Sequence, residues 1–307
     1  MTARLPDDAR IGRVRLRVAD LGRALGFYEG VLGLRRVRDE GPLVGLAPGT
    51  GSDAPESGTA PHEIIVLQEV PGISRRPRRP VTAGLYHVAL LVPSRRDLGR
   101  ALLALYDAGY PLRGMSDHAV SESLYLDDPD GNGLEIYADR PRAEWPVRDG
   151  IVQMTVEPMD HDGVIAAGRV PPAPWRGLPS ATVVGHVHLT VSRLEPPLAF
   201  YHEVVGFDLM MRIPSLAAVS AGGYHHHLNL NTWAGEGAPP DSEGVAGLAG
   251  WELRVPGAEA RRALAARLGE RPVESSNGLI SARDPDGALM EVVGADRPPG
   301  PGIAPQG

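Results

Sequence analysis

The stretch GRVRLRVADLGRALGFY, residues 12–28, decides the fold, because the chain carries a second version of it, GHVHLTVSRLEPPLAFY, at residues 185–201. Ten positions are identical when residues 12–33 are aligned with residues 185–206. Extended identity between two segments of one chain is the mark of an internal duplication. The sequence therefore predicts two homologous halves.

Two further pairs of segments follow in the same order in both halves. GLYHVALLVP at residues 84–93 corresponds to GLAGWELRVP at residues 247–256. The turn sequence DPDG occurs at residues 128–131 and again at residues 284–287. The duplication therefore covers most of each half.

Each half also has an internal repeat of its own. Alternating apolar residues at Val14, Leu16 and Val18 predict a half-buried strand. The apolar residues that follow, from Leu21 onward, are spaced to form one face of a helix. The same strand-then-helix pattern restarts at Tyr86. We therefore predict an α+β fold of four βαβββ units, each a strand, a helix and three strands, arranged as curved mixed sheets.

The four units form two predicted domains. The N-terminal domain covers residues 1–140 and the C-terminal domain covers residues 183–297. Residues 141–182 are rich in proline and tryptophan, and we interpret them as a connecting segment.

Composition excludes several classes of function. The chain has 307 residues, no cysteine and a formal net charge of −7, and arginine supplies all 31 basic residues. Disulfides, thiolate metal sites and cysteine nucleophiles are excluded, and an acidic chain without a basic face is a poor nucleic-acid binder. The sequence contains no apolar stretch of the kind that predicts a membrane span or a signal peptide. We therefore expect a cytoplasmic protein, without nucleic-acid or membrane partners, that acts on a small molecule.

Candidate metal ligands occur in aligned positions. A glycine lies three residues before the same strand position in all four units, and those positions hold Arg15, His87, His188 and Gly250. Glu135 and Glu291 each lie seven residues after the first aspartate of DPDG. A lone strand histidine usually only packs, but two in one repeat position favour a site. Two imidazoles and one carboxylate are the set that leaves open positions on Fe(II) for substrate and dioxygen.

Two stretches resemble the vicinal oxygen chelate superfamily, and within it the extradiol, catechol 2,3-type, dioxygenases. Residues 117–135 are similar to the family signature of a histidine, an apolar residue with tyrosine, Asp-Pro-x-Gly and a metal-binding glutamate. Residues 222–233 carry consecutive histidines where those dioxygenases have a pair beside bound oxygen. The resemblance extends from residue 11 to about residue 293.

The resemblance implies a cofactor, a substrate and a role for each residue of the site. Fe(II), or alternatively Mn(II), would be held by His87, His188 and Glu135, and the substrates would be a catechol-type aromatic diol and O2. His226 would hydrogen-bond dioxygen, and His118 would be the general acid and base. Tyr125 would hydrogen-bond the same substrate oxygen as His118.

The chain departs from the family pattern in how these residues are distributed. In two-domain extradiol enzymes the metal site lies within one domain, but here neither half contains a complete ligand set. Pairing unit two with unit three brings His87, Glu135 and His188 together. Pairing unit one with unit four leaves Arg15 and Glu291, for which we predict an ion pair in place of a metal.

Two other functions remain open at this point. One is a non-oxidative relative, a glyoxalase-like isomerase or an epimerase, which would draw a second glutamate from unit three, where this chain has histidines and Asn229. The other is a metal-free binding or resistance protein, which Arg15 and Gly250 favour for one pair of units. A homo-oligomer is possible in each case.

Overall fold

The computed structural model describes residues 4–49, 62–77, 79, 81–148, 151–171, 174–269 and 280–294. Within them the chain is α+β, with short helices packed against two large curved sheets. No described helix has the length and apolar character needed to cross a membrane. The outer ends of the two predicted domains, residues 1 and 297, lie outside the described residues.

The first half contains two βαβββ units, as predicted. Unit one comprises β1 (Arg10–Val18), α1 (Leu21–Tyr28), β2 (Arg35–Glu40), β3 (Leu43–Ala47) and β4 (Ile65–Glu69). Unit two comprises β5 (Gly84–Leu91), α2 (Arg95–Asp107), β6 (Leu112–Asp117), β7 (Ser121–Asp127) and β8 (Gly133–Asp139). The connecting segment contains a 3-10 turn (Arg142–Glu144), β9 (Val147–Arg148), β10 (Ile151–Val152) and α3 (His161–Gly168).

The second half repeats the pattern. Unit three comprises β11 (Val183–Thr190), α4 (Glu195–Ala199) with a π-helical continuation (Phe200–Val205), β12 (Asp208–Ile213), β13 (Leu216–Ser220) and β14 (Leu228–Asn231). Unit four comprises β15 (Gly247–Arg254), α5 (Ala258–Leu268), β16 (Ile280–Arg283) and β17 (Leu289–Val293) within the described residues.

Each sheet is built from one unit of each half. The eight-stranded sheet has the order β12-β13-β14-β11-β5-β8-β7-β6 and therefore joins units two and three. The seven-stranded sheet has the order β16-β17-β15-β1-β4-β3-β2 and joins units one and four. At the centres of the sheets, β5 pairs antiparallel with β11 and β1 pairs antiparallel with β15. The pairing of units that the distribution of ligands favoured is thus confirmed.

Two equivalent hydrogen bonds, one in each half, connect the two large sheets. The hydroxyl of Tyr28, in unit one, donates to Oδ2 of Asp128 in the DPDG turn of unit two, with 3.0 Å between the oxygens. Tyr201 donates to Asp284 in the same way at 3.0 Å. All four residues are buried, so each duplicated helix is tied to the duplicated turn of its neighbouring unit.

The connecting segment packs closely on unit two. Helix α3 lies against α2, and Gly99 and Gly168 meet there so closely that a Cβ on Gly99 would lie 2.1 Å from the carbonyl oxygen of Val164. Before α3 in the segment, the backbones of Asp117 and Glu157 exchange hydrogen bonds of 2.8 and 2.9 Å. The segment therefore packs beside the end of β6.

Candidate active site

Two histidines and a glutamate meet at the centre of the eight-stranded sheet. Oε2 of Glu135 lies 2.9 Å from Nε2 of His87 and 3.0 Å from Nε2 of His186. The two imidazole Nε2 atoms are 3.3 Å apart. All three side chains are buried. Within the described part of the chain, these are the His, Asp and Glu side chains that come together in a group of three, with all ligand atoms within 4.8 Å of one another.

Strand register explains why these residues converge. His186 of β11 pairs with Ala89 of β5, and Ala89 pairs with Glu135 of β8, so the three residues lie side by side across three strands. The central residue is only a methyl group, so the flanking imidazole and carboxylate can meet above it. His87 lies two residues along β5, on the same face, because side chains alternate along a strand.

The cluster has the chemistry of a divalent metal site. Ligand atoms bound at about 2.1 Å on one octahedral face lie about 3.0 Å from one another, which matches the observed separations of 2.9–3.3 Å. Burial alone would raise the pKa of Glu135, but hydrogen bonds and charge from His186 and His87 hold that pKa well below its usual range. Burial lowers the pKa of His186 to about 4, against the effect of Glu135. A carboxylate and a neutral imidazole are the forms that bind metals.

His188, which the sequence predicts as the third ligand, lies beside this cluster and is not part of it. It is directly opposite His87 in the strand pairing, so the predicted repeat position exists. Its Nε2, however, accepts a hydrogen bond from Nδ2 of Asn231 at 2.9 Å. The Asn231 amide is oriented by the backbone N–H of Trp233, which donates to Oδ1 at 2.9 Å. The ligand atoms that converge are those of His87, Glu135 and His186, whereas the Nε2 lone pair of His188 faces Asn231.

A different alignment of the same strands would have identified His186. Counted back from the valine that follows each strand, residues 87–92 read HVALLV and residues 186–191 read HVHLTV. This pattern places His87 and His186 in one column, together with Arg13 of unit one. An alignment that starts from the glycine favours His188 instead, because Gly185 directly precedes His186 whereas Gly84 lies three residues before His87.

His118 and Tyr125 form a hydrogen-bonded chain that ends on the cluster. Nε2 of His118 lies 2.6 Å from the Tyr125 hydroxyl, and that hydroxyl lies 3.3 Å from Oε1 of Glu135. Burial, together with the charge of Glu135, raises the pKa of Tyr125 well above its usual value. The hydroxyl therefore stays protonated, and its single proton can be donated to Glu135 or to His118, one at a time. The structure thus brings His118 and Tyr125 to the cluster.

His226 lies on the other side of the cluster. Its ring packs against that of His186, with 4.2 Å between ring centroids. Burial, followed by the neighbouring imidazoles, lowers the pKa of His226 well below its usual value. His227, the next residue, lies outside the site, because its Nδ1 contacts Oγ of Ser220 at 2.8 Å and accepts from the backbone N–H of Ala221.

The equivalent place in the seven-stranded sheet contains ion pairs. Arg13, in the column of His87 and His186, contacts Glu63 at 2.6 Å and Glu252 at 2.7 Å. The predicted pair of Arg15 and Glu291 is confirmed, with 3.4 Å between Nη2 and Oε1. The cavity at this position has a volume of about 20 Å³. Guanidinium groups therefore occupy the position where the other sheet has imidazoles.

Four βαβββ units, paired across two halves around a buried histidine and glutamate cluster, are the architecture of vicinal oxygen chelate proteins. Known structures agree with this assignment of the fold. A candidate dioxygenase from Bacillus subtilis superposes with a TM-score of 0.60 at 16% identity, covering 96% of this chain and 87% of that one. Glyoxalase I from Zea mays superposes with a TM-score of 0.55 at 18% identity, covering 94% of this chain and 92% of that one.

Sequence comparison gives a closer relationship. The profile of the glyoxalase/bleomycin resistance protein/dioxygenase superfamily matches residues 10–136 and 183–292, and the chain belongs to that family. It is 39% identical over 294 residues to a catechol-2,3-dioxygenase from Bacillus subtilis, with 94% of this chain and 98% of the relative aligned. A biphenyl-2,3-diol 1,2-dioxygenase from Rhodococcus globerulus is 40% identical over 78 residues, which is 25% of this chain and 41% of the relative.

Proposed function

We propose that this protein is an extradiol ring-cleaving dioxygenase that combines a catechol-type aromatic diol with O2. The observation that carries the proposal is the buried face of His87, Glu135 and His186, whose ligand atoms are 2.9–3.3 Å apart. The full-length similarity to a catechol-2,3-dioxygenase supports the same reaction.

His87, Glu135 and His186 would hold one divalent metal ion, Fe(II) or alternatively Mn(II). Such an ion, when bound by two imidazoles and one carboxylate, supplies open positions at which the diol and dioxygen meet. Because the ligands come from β5, β8 and β11, both halves of the chain contribute to the site. His188 would instead line the site beside His87, with 4.8 Å between their ring centroids.

His118 would act as general acid and base, with Tyr125 beside it. A general base must be within hydrogen-bonding reach of the proton that it moves. Nδ1 of His118 lies 2.7 Å from the carbonyl oxygen of Thr155, which can only accept, so neutral His118 carries its proton on Nδ1. Its Nε2 then has a lone pair, which accepts from the Tyr125 hydroxyl at 2.6 Å and would take the proton of a diol hydroxyl when a bound diol replaces that contact.

His226 would hold the second substrate in place. Its ring lies against His186, whereas the Tyr125 hydroxyl lies against Glu135, so the two contact different members of the cluster. A histidine in this position can hydrogen-bond dioxygen while the diol is bound beside His118. This arrangement assigns the two substrates to two different histidines.

The described residues disfavour the two alternative functions. A glyoxalase-like isomerase would use a second glutamate from unit three, whereas β14 presents Asn229 opposite His188. In a metal-free binding protein, burying a carboxylate between two neutral imidazoles would cost free energy that no bound cation offsets. The ion pairs of Arg13 and Arg15 are restricted to the other sheet.

Anaerobic purification with Fe(II), followed by catechol under air, tests the proposal. We expect about one iron per chain, oxygen uptake, and a product whose mass is the sum of catechol and O2. Extradiol cleavage gives one carboxylate and one carbonyl group, whereas cleavage between the hydroxyls gives two carboxylates. Absence of ring opening from a catechol panel in the iron-loaded protein would contradict the proposed function.

A further inference from the structure

His225 connects a carboxylate at the edge of the site to His226. Nε2 of His225 lies 3.0 Å from Oδ1 of Asp139, and Nδ1 of His225 lies 2.8 Å from Nδ1 of His226. Asp139 also accepts from the Tyr224 hydroxyl at 2.9 Å through its other oxygen. The three residues Asp139, His225 and His226 thus form a continuous hydrogen-bonded chain, which we call the Asp-His-His chain.

The direction of each hydrogen bond in this chain follows from the groups involved. A carboxylate only accepts, so the Nε2 of His225 must donate to Asp139. Neutral His225 then has a lone pair on Nδ1, which can only accept, so Nδ1 of His226 must donate to it. The proton of neutral His226 therefore lies on Nδ1, and its Nε2 has a lone pair.

Two aromatic rings enclose the imidazole of His225. The ring of His225 has no exposed surface and lies between Tyr224, at a centroid distance of 4.0 Å, and Trp145, at 5.2 Å. The opposite direction would require protons on both ring nitrogens of His225. Trp145 belongs to the connecting segment, which therefore covers the chain.

We propose that Asp139 and His225 are positioning residues that hold His226 as the Nδ1–H tautomer, so that its Nε2 is presented as a hydrogen-bond acceptor. The inference rests on the proposed function for its chemical consequence. With a lone pair on Nε2, His226 would be able to donate a hydrogen bond to dioxygen only after that nitrogen has received a proton that a diol hydroxyl releases on binding. A carboxylate that fixes the tautomer of a histidine has the same effect in hydrolytic triads, where losing the correct tautomer slows catalysis strongly.

Ring-nitrogen NMR of the full chain tests the tautomer without relying on activity. Histidine labelled with ¹⁵N is observed in the metal-free and in the Zn(II)-loaded protein, and His226→Gln assigns the signals. We expect His226 to be protonated at Nδ1 and unprotonated at Nε2, and His225 to be protonated at Nε2. A His226 proton on Nε2 in the wild-type protein would overturn the proposal, whether or not the protein cleaves catechols.

Two variants of the carboxylate separate positioning from structural support. Asp139→Ala removes the acceptor, and we expect mixed His226 tautomers and a kcat about 10²-fold lower, a typical value for acid-base groups, with KM for catechol little changed. Asp139→Asn keeps an oxygen that can accept from His225, so it should recover most of the kcat and the wild-type tautomer. Ser220→Ala, which removes a contact of the neighbouring His227, is the matched control and should retain the wild-type kcat.

The outcomes distinguish failure of this inference from failure of the proposed function. If wild-type protein shows the expected tautomer but no ring cleavage, the proposed function fails and the Asp-His-His chain stands. If ring cleavage is present and Asp139→Ala leaves both kcat and the His226 tautomer unchanged, the positioning role is contradicted.

Discussion

The carbonyl oxygen of Thr155 lies 2.7 Å from Nδ1 of His118, and this contact fixes the orientation of the His118 imidazole from outside its own domain unit. Thr155 belongs to the segment that connects the two halves. The backbone N–H of Thr155 in turn donates to the carbonyl oxygen of His118 at 3.2 Å. The connecting segment therefore works as a brace for the proposed general base, in addition to covering His225.

We predict that Glu157→Pro weakens catalysis through this brace. Proline lacks the N–H that donates to the Asp117 carbonyl oxygen at 2.9 Å, so the segment beside His118 should loosen. We expect kcat to fall at least about tenfold while iron content stays at the wild-type level, since general acid-base groups contribute about 10²–10⁴-fold. Steady-state kinetics and metal analysis check both parts. Glu157→Ala, which keeps the N–H, should behave as wild type, and equal activity of the two variants would contradict the brace.

The methyl group of Ala89 is predicted to be a size limit for the metal site. Ala89 is completely buried and lies in register between His186 and Glu135. Ala89→Val suits a strand but places two methyl groups where the imidazole and carboxylate meet, so we expect iron content to fall well below one per chain. Ala89→Gly leaves the space open and should retain iron at somewhat lower stability. Retention of full iron by the valine variant would show that the ligands meet elsewhere.

Removing the metal should lower the thermal stability of the whole chain. The three ligands come from both halves, so a bound ion connects β5 and β8 of the first half to β11 of the second. A ligand that binds only the folded state stabilises it by about 2.7 kcal/mol when its free concentration is 100 times Kd. We expect a higher Tm in the iron-loaded protein than after chelation, measured by calorimetry under anaerobic conditions. Equal Tm values in wild type, despite bound iron, would contradict this connection.

Glu63 is predicted to matter for stability without affecting the reaction. Its side chain is 1% exposed and contacts both Arg13, at 2.6 Å, and Arg38, at 2.7 Å. Glu63→Gln leaves two guanidinium groups without that charge, and breaking a buried pair costs about 3–5 kcal/mol of unfolding free energy. Chemical denaturation checks the value, with kcat expected to stay at the wild-type level. Glu40→Gln is the control, because Glu40 pairs with Arg38 at a side-chain exposure of 43%, where a pair contributes about 1 kcal/mol or less.

The repeat made most of the fold predictable from sequence. Identical positions between residues 12–33 and 185–206 defined the halves, and the distribution of histidines over the units favoured the pairing of β5 with β11. The same reasoning predicted that Arg15 and Glu291 would meet. These inferences succeed because strand periodicity and repeat position are properties of the sequence itself.

The finer geometry of the site could not be predicted in the same way. His186 and His188 lie on one face of one strand, so periodicity cannot distinguish them, and two sequence alignments of the strand favour different histidines. The cross-strand register with Glu135 and the hydrogen bond from Asn231 separate the two. The contacts of Thr155 with His118, and of Asp139 with His225, join residues far apart in sequence. They depend on where a chain segment without a repeat partner packs.

Iron analysis of His186→Ala beside His188→Ala identifies which histidine of β11 is the third metal ligand. Both variants remove one imidazole from the same face of β11, so they are matched in size and burial. We expect His186→Ala to lose iron and ring cleavage together, because two ligands hold a divalent ion much less well than three in fixed geometry. We expect His188→Ala to keep about one iron per chain. Iron retained by His186→Ala and lost from His188→Ala would contradict this assignment.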